Sequence, residues 1–423
     1  MEDGCGSKSS PLLESSSTGS SSALKTLGNI IVSIVGTGVL GLPFAFKIAG
    51  WFAGLLGVVI AGIATYYCML LLVQCRDKFA PKELTNQETK TYGDLGYESL
   101  GKTGRYLTES LIFLSQCGGS VAYLVFIGQN LSSIFKGQGL GFSSFIFLLV
   151  PIEIALSWIS SLSALAPFSI FADVCNLLAM GIVIKEDVEN ILRGEFKLND
   201  RKAFTSNIGG LPFAGGMAVF CFEGFGMTLA LESSMKERGR FPSLLGKAFS
   251  GITFVYVLFG FSGYMAYGDE TREIITLNLP HNWSTTAVQA GLCLGLLFTF
   301  PIMLHPIHEI AEGKLRSREW FKKHFSSGGG NLTPMGKCGI YACRSILIVA
   351  LAVLASFIPG FAMFASLVGS TVCALISFVL PAVFHLRLLG SSLHRWQRAL
   401  DYFILICGLL FAAYGSYTST VGI

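Results

Sequence analysis

The chain has 423 residues, of which 52% are hydrophobic and only 13% charged, with a mean hydropathy of +0.61 and a formal net charge of +4. A water-facing surface of that size needs roughly twice the charge, so composition excludes a cytosolic enzyme, a nucleic-acid binder and a small secreted scaffold. Apolar runs recur from Leu24 to Thr418, each near the roughly 20 residues that cross a bilayer as a helix, and predict an all-α polytopic protein embedded in lipid.

Residues 1–23 are polar and rich in Ser and Gly, the composition of a disordered cytosolic tail, without the basic flank and apolar core of a signal peptide. Within them Ser10-Pro11-Leu12-Leu13-Glu14 resembles a dileucine sorting signal, with Lys8 where an acid is usual. Eleven spans are expected next, near 24–46, 51–74, 106–134, 142–160, 167–188, 209–231, 244–267, 285–310, 340–358, 361–389 and 402–418. Three polar connections separate them, near 75–105, 189–208 and 311–339. Eleven cysteines, most of them in apolar runs, read as packing rather than as a disulfide framework.

Counting Lys and Arg on alternate sides puts 22 of the 30 on the side of the tail and 8 on the other. The excess of positive charge predicts a cytosolic N-terminus and a lumenal or extracellular C-terminus. Of three Asn-x-Ser/Thr sequons, Asn282 is then the one expected on the glycosylated side. Asn331 falls on the cytosolic side, and Asn130 in or against a span.

Span one carries Gly36, Gly38, Gly41 and Pro43 within eight residues, too many breakers for a continuous helix. Five spans later Gly215, Gly216, Gly224 and Gly226 repeat the signature around Glu223. Two interrupted spans at corresponding places point to an inverted-repeat transporter with its site between the breaks. Half-helix N-termini offer free N–H groups and half-helix C-termini free carbonyls. A small zwitterion satisfies both, so an amino-acid carboxylate is expected on N–H groups around Gly38 to Gly41. Its ammonium is expected on carbonyls near Ser33 and Ile34 and near Phe220 and Cys221.

The motifs GTGVLGLPFAFKIAGW from Gly36, LAPFSIFAD from Leu165, FEGFGMTLALESSMK from Phe222, FTFPIMLHP from Phe298 and LVGSTVCALISFVLPAVFHL from Leu367 closely resemble the amino acid/auxin permease family. The likeness is strongest to the plant branch of vacuolar amino-acid exporters and the aromatic and neutral amino-acid transporter. It implies a LeuT-like arrangement of a five-plus-five inverted repeat (24–188 and 209–389) with an eleventh helix (402–418), and transport coupled to protons. Two departures are Ala230, where related sequences read proline, and His305, where they often read Asn.

The expected substrate site comprises Ser33, Ile34, Gly36, Thr37, Gly38, Val39, Leu40 and Gly41 of the first break, and Phe220, Cys221, Phe222 and Gly224 of the second. Gln116 and Tyr123 join them, seven residues apart and so on one face of span three. Coupling or gating falls to Glu223, an ionisable group at the midplane, with His305 as a proton-handling candidate and Thr299 where distant relatives hold sodium. A Glu223 that merely caps a half-helix is the plainer reading. Glu153 and Asp173, also in apolar runs, are candidates for the transport path or for interior helix contacts. The run His305-x-x-His308-Glu309 lacks the converging ligands of a metal site. No G-x-S-x-G, His box or Walker loop marks an enzyme or an ATP-driven pump. The expectation is a secondary carrier of neutral and aromatic amino acids, with auxin-like indoles as a further substrate class. Protons rather than sodium drive it, it has no cofactor, and it resides in the vacuole or endoplasmic reticulum in preference to the plasma membrane. A non-transporting amino-acid sensor on the same fold is the alternative.

Overall fold

Lipid offers a backbone no hydrogen bonds, so each apolar segment must bond within itself, and helices make up almost all the regular structure among the described residues. The protein's computed structural model describes residues 21–79, 91–136, 139, 141–159, 162–195, 201–205, 209–317, 320 and 333–421. In chain order come α1 (Ala23–Ile34), a 3-10 turn (Thr37–Gly41), α2 (Leu42–Ala49), α3 (Trp51–Asp77), α4 (Tyr92–Ile134), α5 (Phe142–Ser157), α6 (Leu162–Asn190), α7 (Gly210–Cys221) and α8 (Phe225–Ser234). They are followed by α9 (Phe241–Tyr267), α10 (Trp283–Ser317), α11 (Pro334–Ser356), α12 (Phe361–Val368), π turns at Gly369–Cys373 and Leu375–Val379, α13 (Leu380–Leu389) and α14 (Arg395–Val421).

Among the described residues nine helical stretches are long and apolar enough to cross a membrane. The count is ten when α1 and the segment Thr37–Ala49, bent by 45° at their break, form one span. Eleven spans were expected from the sequence. The difference is α5, which has 16 residues and at 1.5 Å per residue reaches about 24 Å, short of the roughly 30 Å hydrocarbon layer. It lies antiparallel to α11: Ser143 Oγ donates to Ser356 O at 3.4 Å near one end, and Arg344 donates to Ser157 O at 2.7 Å near the other.

Two expected connections prove partly structured. Within 75–105, Thr91 and Asp94 form a reciprocal cap on α4, whose first turns fold back at Gly101. There φ is +67°, a value that favours glycine. Within 189–208, residues 201–205 return to the α2–α3 hinge, where Lys202 O and Ala203 O accept the N–H groups of Trp51 and Phe52, and Thr205 N–H donates to Ala49 O. At the end of the polar N-terminal segment, the backbone of Ser21 bonds Ser234 O and Lys236 N–H beyond α8. Its dileucine-like run lies outside the described residues.

The buried core runs through most of the helices, and α7 packs closely on α12 within it. A Cβ on Gly216 would lie 2.4 Å from Ser366 O, and one on Gly369 only 1.8 Å from Gly216 O, so both glycines are dictated by backbone contact. The π turns start at that contact.

Candidate functional site

The two breaks cross. α1 stops at Ile34, Val35 is extended, Gly36 is exposed, and the chain resumes as a buried 3-10 turn. α7 stops at Cys221, and α8 begins at Phe225 after a gap of three residues. A Cβ on Gly38 would meet Cys221 Sγ at 3.2 Å and the Phe220 ring at 3.4 Å, and one on Gly224 would meet Ile34 at 3.2 Å. Each break is thus packed against the other.

Tyr256 on α9 holds them together. Its hydroxyl lies 3.2 Å from Ile34 O and 3.1 Å from Cys221 O, the last carbonyls of the two half-helices. One O–H has a single proton for two acceptors, and each carbonyl keeps a second lone pair. The phenol is fully buried, and its ring contacts that of Phe222, which in turn stacks on Phe249. Tyr256 was not singled out in the sequence. A tyrosine inside an apolar helix needs a partner for its hydroxyl, and that was the available signal.

Among the expected first-break residues, Ser33 donates to Ile30 O on its own helix, and Thr37, Gly38, Val39, Leu40 and Gly41 are buried. The space opposite Gly41 is filled by Met217 and Phe361. Nothing lies within 4 Å of a Cβ built on Gly36. In the second break Phe220 and Glu223 are half-buried while Cys221, Phe222 and Gly224 are buried. The Glu223 carboxylate accepts the N–H of Phe225, the first residue of α8, and lies within electrostatic reach of Cys373 and Tyr92.

Gln116 and Tyr123 lie half-buried on α4. Between them a Cβ on Gly118 would meet Val368 at 2.8 Å, and one on Gly119 would meet Met303 Sδ at 3.0 Å, so this stretch borders both the end of α12 and α10. The π turns are themselves buttressed from α4, where Tyr92 Oη donates to Ile376 O at 2.7 Å and Ser115 Oγ lies 3.9 Å from Cys373 Sγ. No local pattern in residues 369–379 foretold this π geometry, although π turns concentrate at functional sites.

Other candidates stand apart from the crossing. Thr299 donates to Gly295 O and Leu296 O of its own helix. His305 is half-buried and interacts with His308, itself beside Arg344. Asp173 is half-buried on α6, within electrostatic reach of Tyr123, and Glu153 is buried on α5 with neither oxygen hydrogen-bonded. Asn282 is exposed, and its Oδ1 caps α10 by accepting Thr285 N–H. Asn130 is buried against Phe126 O and Thr276, and Asn331 lies outside the described residues. A polar cavity of about 560 Å³, lined by Glu186 of α6, Arg193, Arg201 and Asp269, lies at the ends of α6 and α9 and contains none of the residues of the crossing. Among the described residues no group of three or more His, Cys, Asp or Glu could hold a metal ion.

The family model described as "Transmembrane amino acid transporter protein" matches residues 19–421. The chain is 65% identical to "Amino acid transporter ANT1" of Arabidopsis thaliana, over 98% of this chain and 96% of that protein. It is 38% identical to "Amino acid transporter AVT3C" of the same plant, over 94% of this chain and 90% of that one. Its fold resembles a solved structure titled "Inward facing conformation of Mhp1", with a TM-score of 0.60 at 12% identity, covering 94% of this chain and 88% of the other. That likeness places the helices in the LeuT fold.

Proposed function

The chain belongs to the transmembrane amino acid transporter protein family, and from that premise we propose how its breaks carry a substrate. The protein is an integral membrane amino-acid transporter with the fold of a secondary carrier, and not an enzyme. The observation that carries the proposal is the convergence of Ile34 O and Cys221 O on one buried hydroxyl.

The substrate ammonium takes the free lone pairs of those two carbonyls, and the carboxylate takes the first N–H groups of the 3-10 turn beyond Gly36, which have no partner within the turn. The side chain of a neutral or aromatic amino acid faces the half-buried Phe220 and the stretch of α4 from Gln116 to Tyr123. Alternating access moves the half-helices α1 and α8 against the remaining core, with residues 24–188 and 209–389 as the two repeats and α14 outside them. α5 is the eleventh crossing: it runs beside α11, which is long enough to span, and is bonded to it near both ends. The charge count sets the N-terminus in the cytosol, and the resemblance to the vacuolar-exporter branch favours an endomembrane.

Glu223 carries the coupled proton. Its position inside a break lets one carboxylate alternate between sides, and its bond to Phe225 N–H ties it to the start of α8. Glu223→Gln keeps an acceptor for that N–H while removing the titration. In proteoliposomes the variant should lose accumulation driven by an imposed pH gradient and retain substrate counterflow. Full gradient-driven accumulation by Glu223→Gln would remove Glu223 from coupling, and substrate binding without any flux in the unaltered protein would point to a sensor.

A further inference from the structure

The polar cavity at the ends of α6 and α9 has no part in the substrate site. Its volume of about 560 Å³ lies within the roughly 300–1,000 Å³ of small-molecule sites. The charge count puts this end of the bundle away from the cytosol. The lining carries both signs of charge: Glu186 of α6, Arg193 in the turn after it, Arg201, and Asp269 and Glu270 just beyond α9.

Arg201 is set in place by backbone. Its Nε and Nη2 donate to Met265 O at 3.2 and 3.1 Å, near the end of α9. A Cβ on Gly268 would overlap Arg201 Nη1, and the φ of +54° at Gly268 also favours glycine, so the guanidinium rests on bare main chain. Capping Met265 occupies two of the five N–H donors of a guanidinium and leaves the others. Glu186 and Arg193 have partners beside them in Lys185 and Glu189. Among the described residues neither Arg201, Asp269 nor the Glu270 side chain has an ion-pair partner. A held cation and two carboxylates thus share one concave space without neutralising one another. A lone anion there would meet the carboxylates, and a lone cation would meet Arg201. A ligand carrying both charges satisfies all three.

The loop that supplies the two carboxylates also packs on the half-helices of the substrate site. Directly after Glu270, Thr271 O accepts Lys47 Nζ of α2 at 3.1 Å. Glu273 accepts Ala362 N–H at the start of α12, and its carbonyl oxygen lies 3.5 Å from a Cβ built on Gly41. Thr276 Oγ1 donates to Asn130 Oδ1 of α4 at 2.9 Å. Asn278, which also lines the cavity, ties the loop to itself by accepting Arg272 N–H and donating to Glu270 O, both at 2.8 Å. One stretch of chain therefore borders the cavity and holds α2, α4 and α12 together.

We propose that this cavity is a second binding site for a zwitterionic α-amino acid, with the carboxylate on Arg201 and the ammonium on Asp269 and Glu270. Its occupant holds the loop 269–282 down on α2 and α12. A ligand that binds only the seated loop shifts the equilibrium toward that state. Amino acid accumulating on this side then slows its own carriage from a site apart from the crossing. The ligand class follows from the charges in the cavity, and the effect on carriage rests on the transport reading.

Two measurements test the site, and only the second rests on the transport reading. In the first, binding of L-phenylalanine to the full chain in detergent is followed by equilibrium dialysis, and two classes of site are expected. Arg201→Gln, which keeps a donor for Met265 O, should weaken one class at least about tenfold, the loss of a charge-assisted contact. If that variant does not fold, Asp269→Asn combined with Glu270→Gln, both exposed, should do the same. L-Phenylalaninamide, without the carboxylate, and N-acetyl-L-phenylalanine, without the ammonium, should leave that class empty. A single class in the unaltered protein, a second class that neither variant weakens, or one that either analogue fills equally well overturns the proposal. In the second, uptake into proteoliposomes is measured as L-phenylalanine is raised on the side that carries the loop. The rate should rise and then fall in the unaltered protein, and the variants should lose the falling limb. A rate that only saturates, or a falling limb kept by the variants, also overturns the proposal. Two classes of binding in a protein without any flux would instead sink the transport reading and leave the cavity site standing.

Discussion

The two broken helices share a glycine-rich signature but are built as different devices. The first turns by 45° through a 3-10 turn, exposes Gly36, and has no ionisable group in its gap. The second leaves three residues without regular structure and places Glu223 on the first N–H of the following half-helix. The first break is suited to presenting backbone N–H groups to an anion, and the second adds a group that can change charge. Their glycines differ as well. Those at the crossing keep the breaks close to each other, whereas Gly216 and Gly369 keep α7 on the backbone of the first π turn.

Gly369→Ala should have the largest effect, because its Cβ would lie 1.8 Å from the carbonyl oxygen of Gly216, and backbone cannot yield as the tip of a side chain can. Overpacking ordinarily costs about 1–3 kcal/mol, and this contact should reach or exceed the top of that range. The expected outcome is loss of monodisperse protein in detergent. Normal yield and thermal stability would mean that the π turn shifts freely and that the two glycine classes are not distinct.

Gly36→Leu should do the reverse. Nothing in the protein lies near its Cβ, so the fold should be kept. If the substrate carboxylate lies against this turn, uptake should fall at least tenfold, equivalent to about 1.4 kcal/mol, with thermal stability unchanged. Uptake at the unaltered level would move the anion site away from the first break.

Tyr256→Phe acts on both breaks at once and should have a smaller effect. It removes a hydrogen bond worth roughly 0.5–1.5 kcal/mol and leaves two buried carbonyls to be met by water or by the ammonium. Apparent substrate affinity should fall by up to about tenfold while the protein still folds. A change confined to maximal rate would assign the hydroxyl to movement of the half-helices instead of the ammonium site.

The breaks were legible in the sequence because clustered Gly and Pro act locally. What escaped was what depends on contact between distant segments. Tyr256 is recognisable only once Ile34 and Cys221 are brought together. Asp401 was expected just outside a span starting at residue 402, but α14 starts at Arg395 and turns that carboxylate inward to His385. His385 lies inside the expected span 361–389, where no local pattern marks Asp401 as its partner. α5 was expected over 142–160, whereas the helix spans Phe142–Ser157.

The smallest expected effect lies at the end of the bundle opposite Arg76, in the loop between α9 and α10. The N-terminus of α12 has no cap of its own at Gly360. Glu273 accepts Ala362 N–H at 3.3 Å, and Gln129 Oε1 accepts Phe361 N–H at 3.4 Å. Burial pushes the Glu273 carboxyl above the ordinary carboxylate range, against the lowering effect of its bonds from Ala362 and Gln129. A carboxyl raised in the folded state contributes stability that is fully present below its unfolded pKa and is lost as pH rises through the folded value. Glu273→Gln keeps an acceptor for Ala362 N–H and cannot ionise. The variant should therefore match the unaltered protein in mildly acidic solution and gain on it as pH rises to neutrality, a shift in thermal midpoint smaller than any effect above. A deficit that grows with pH would show instead that the charge at the start of α12, favoured by the helix dipole, outweighs the cost of burying it.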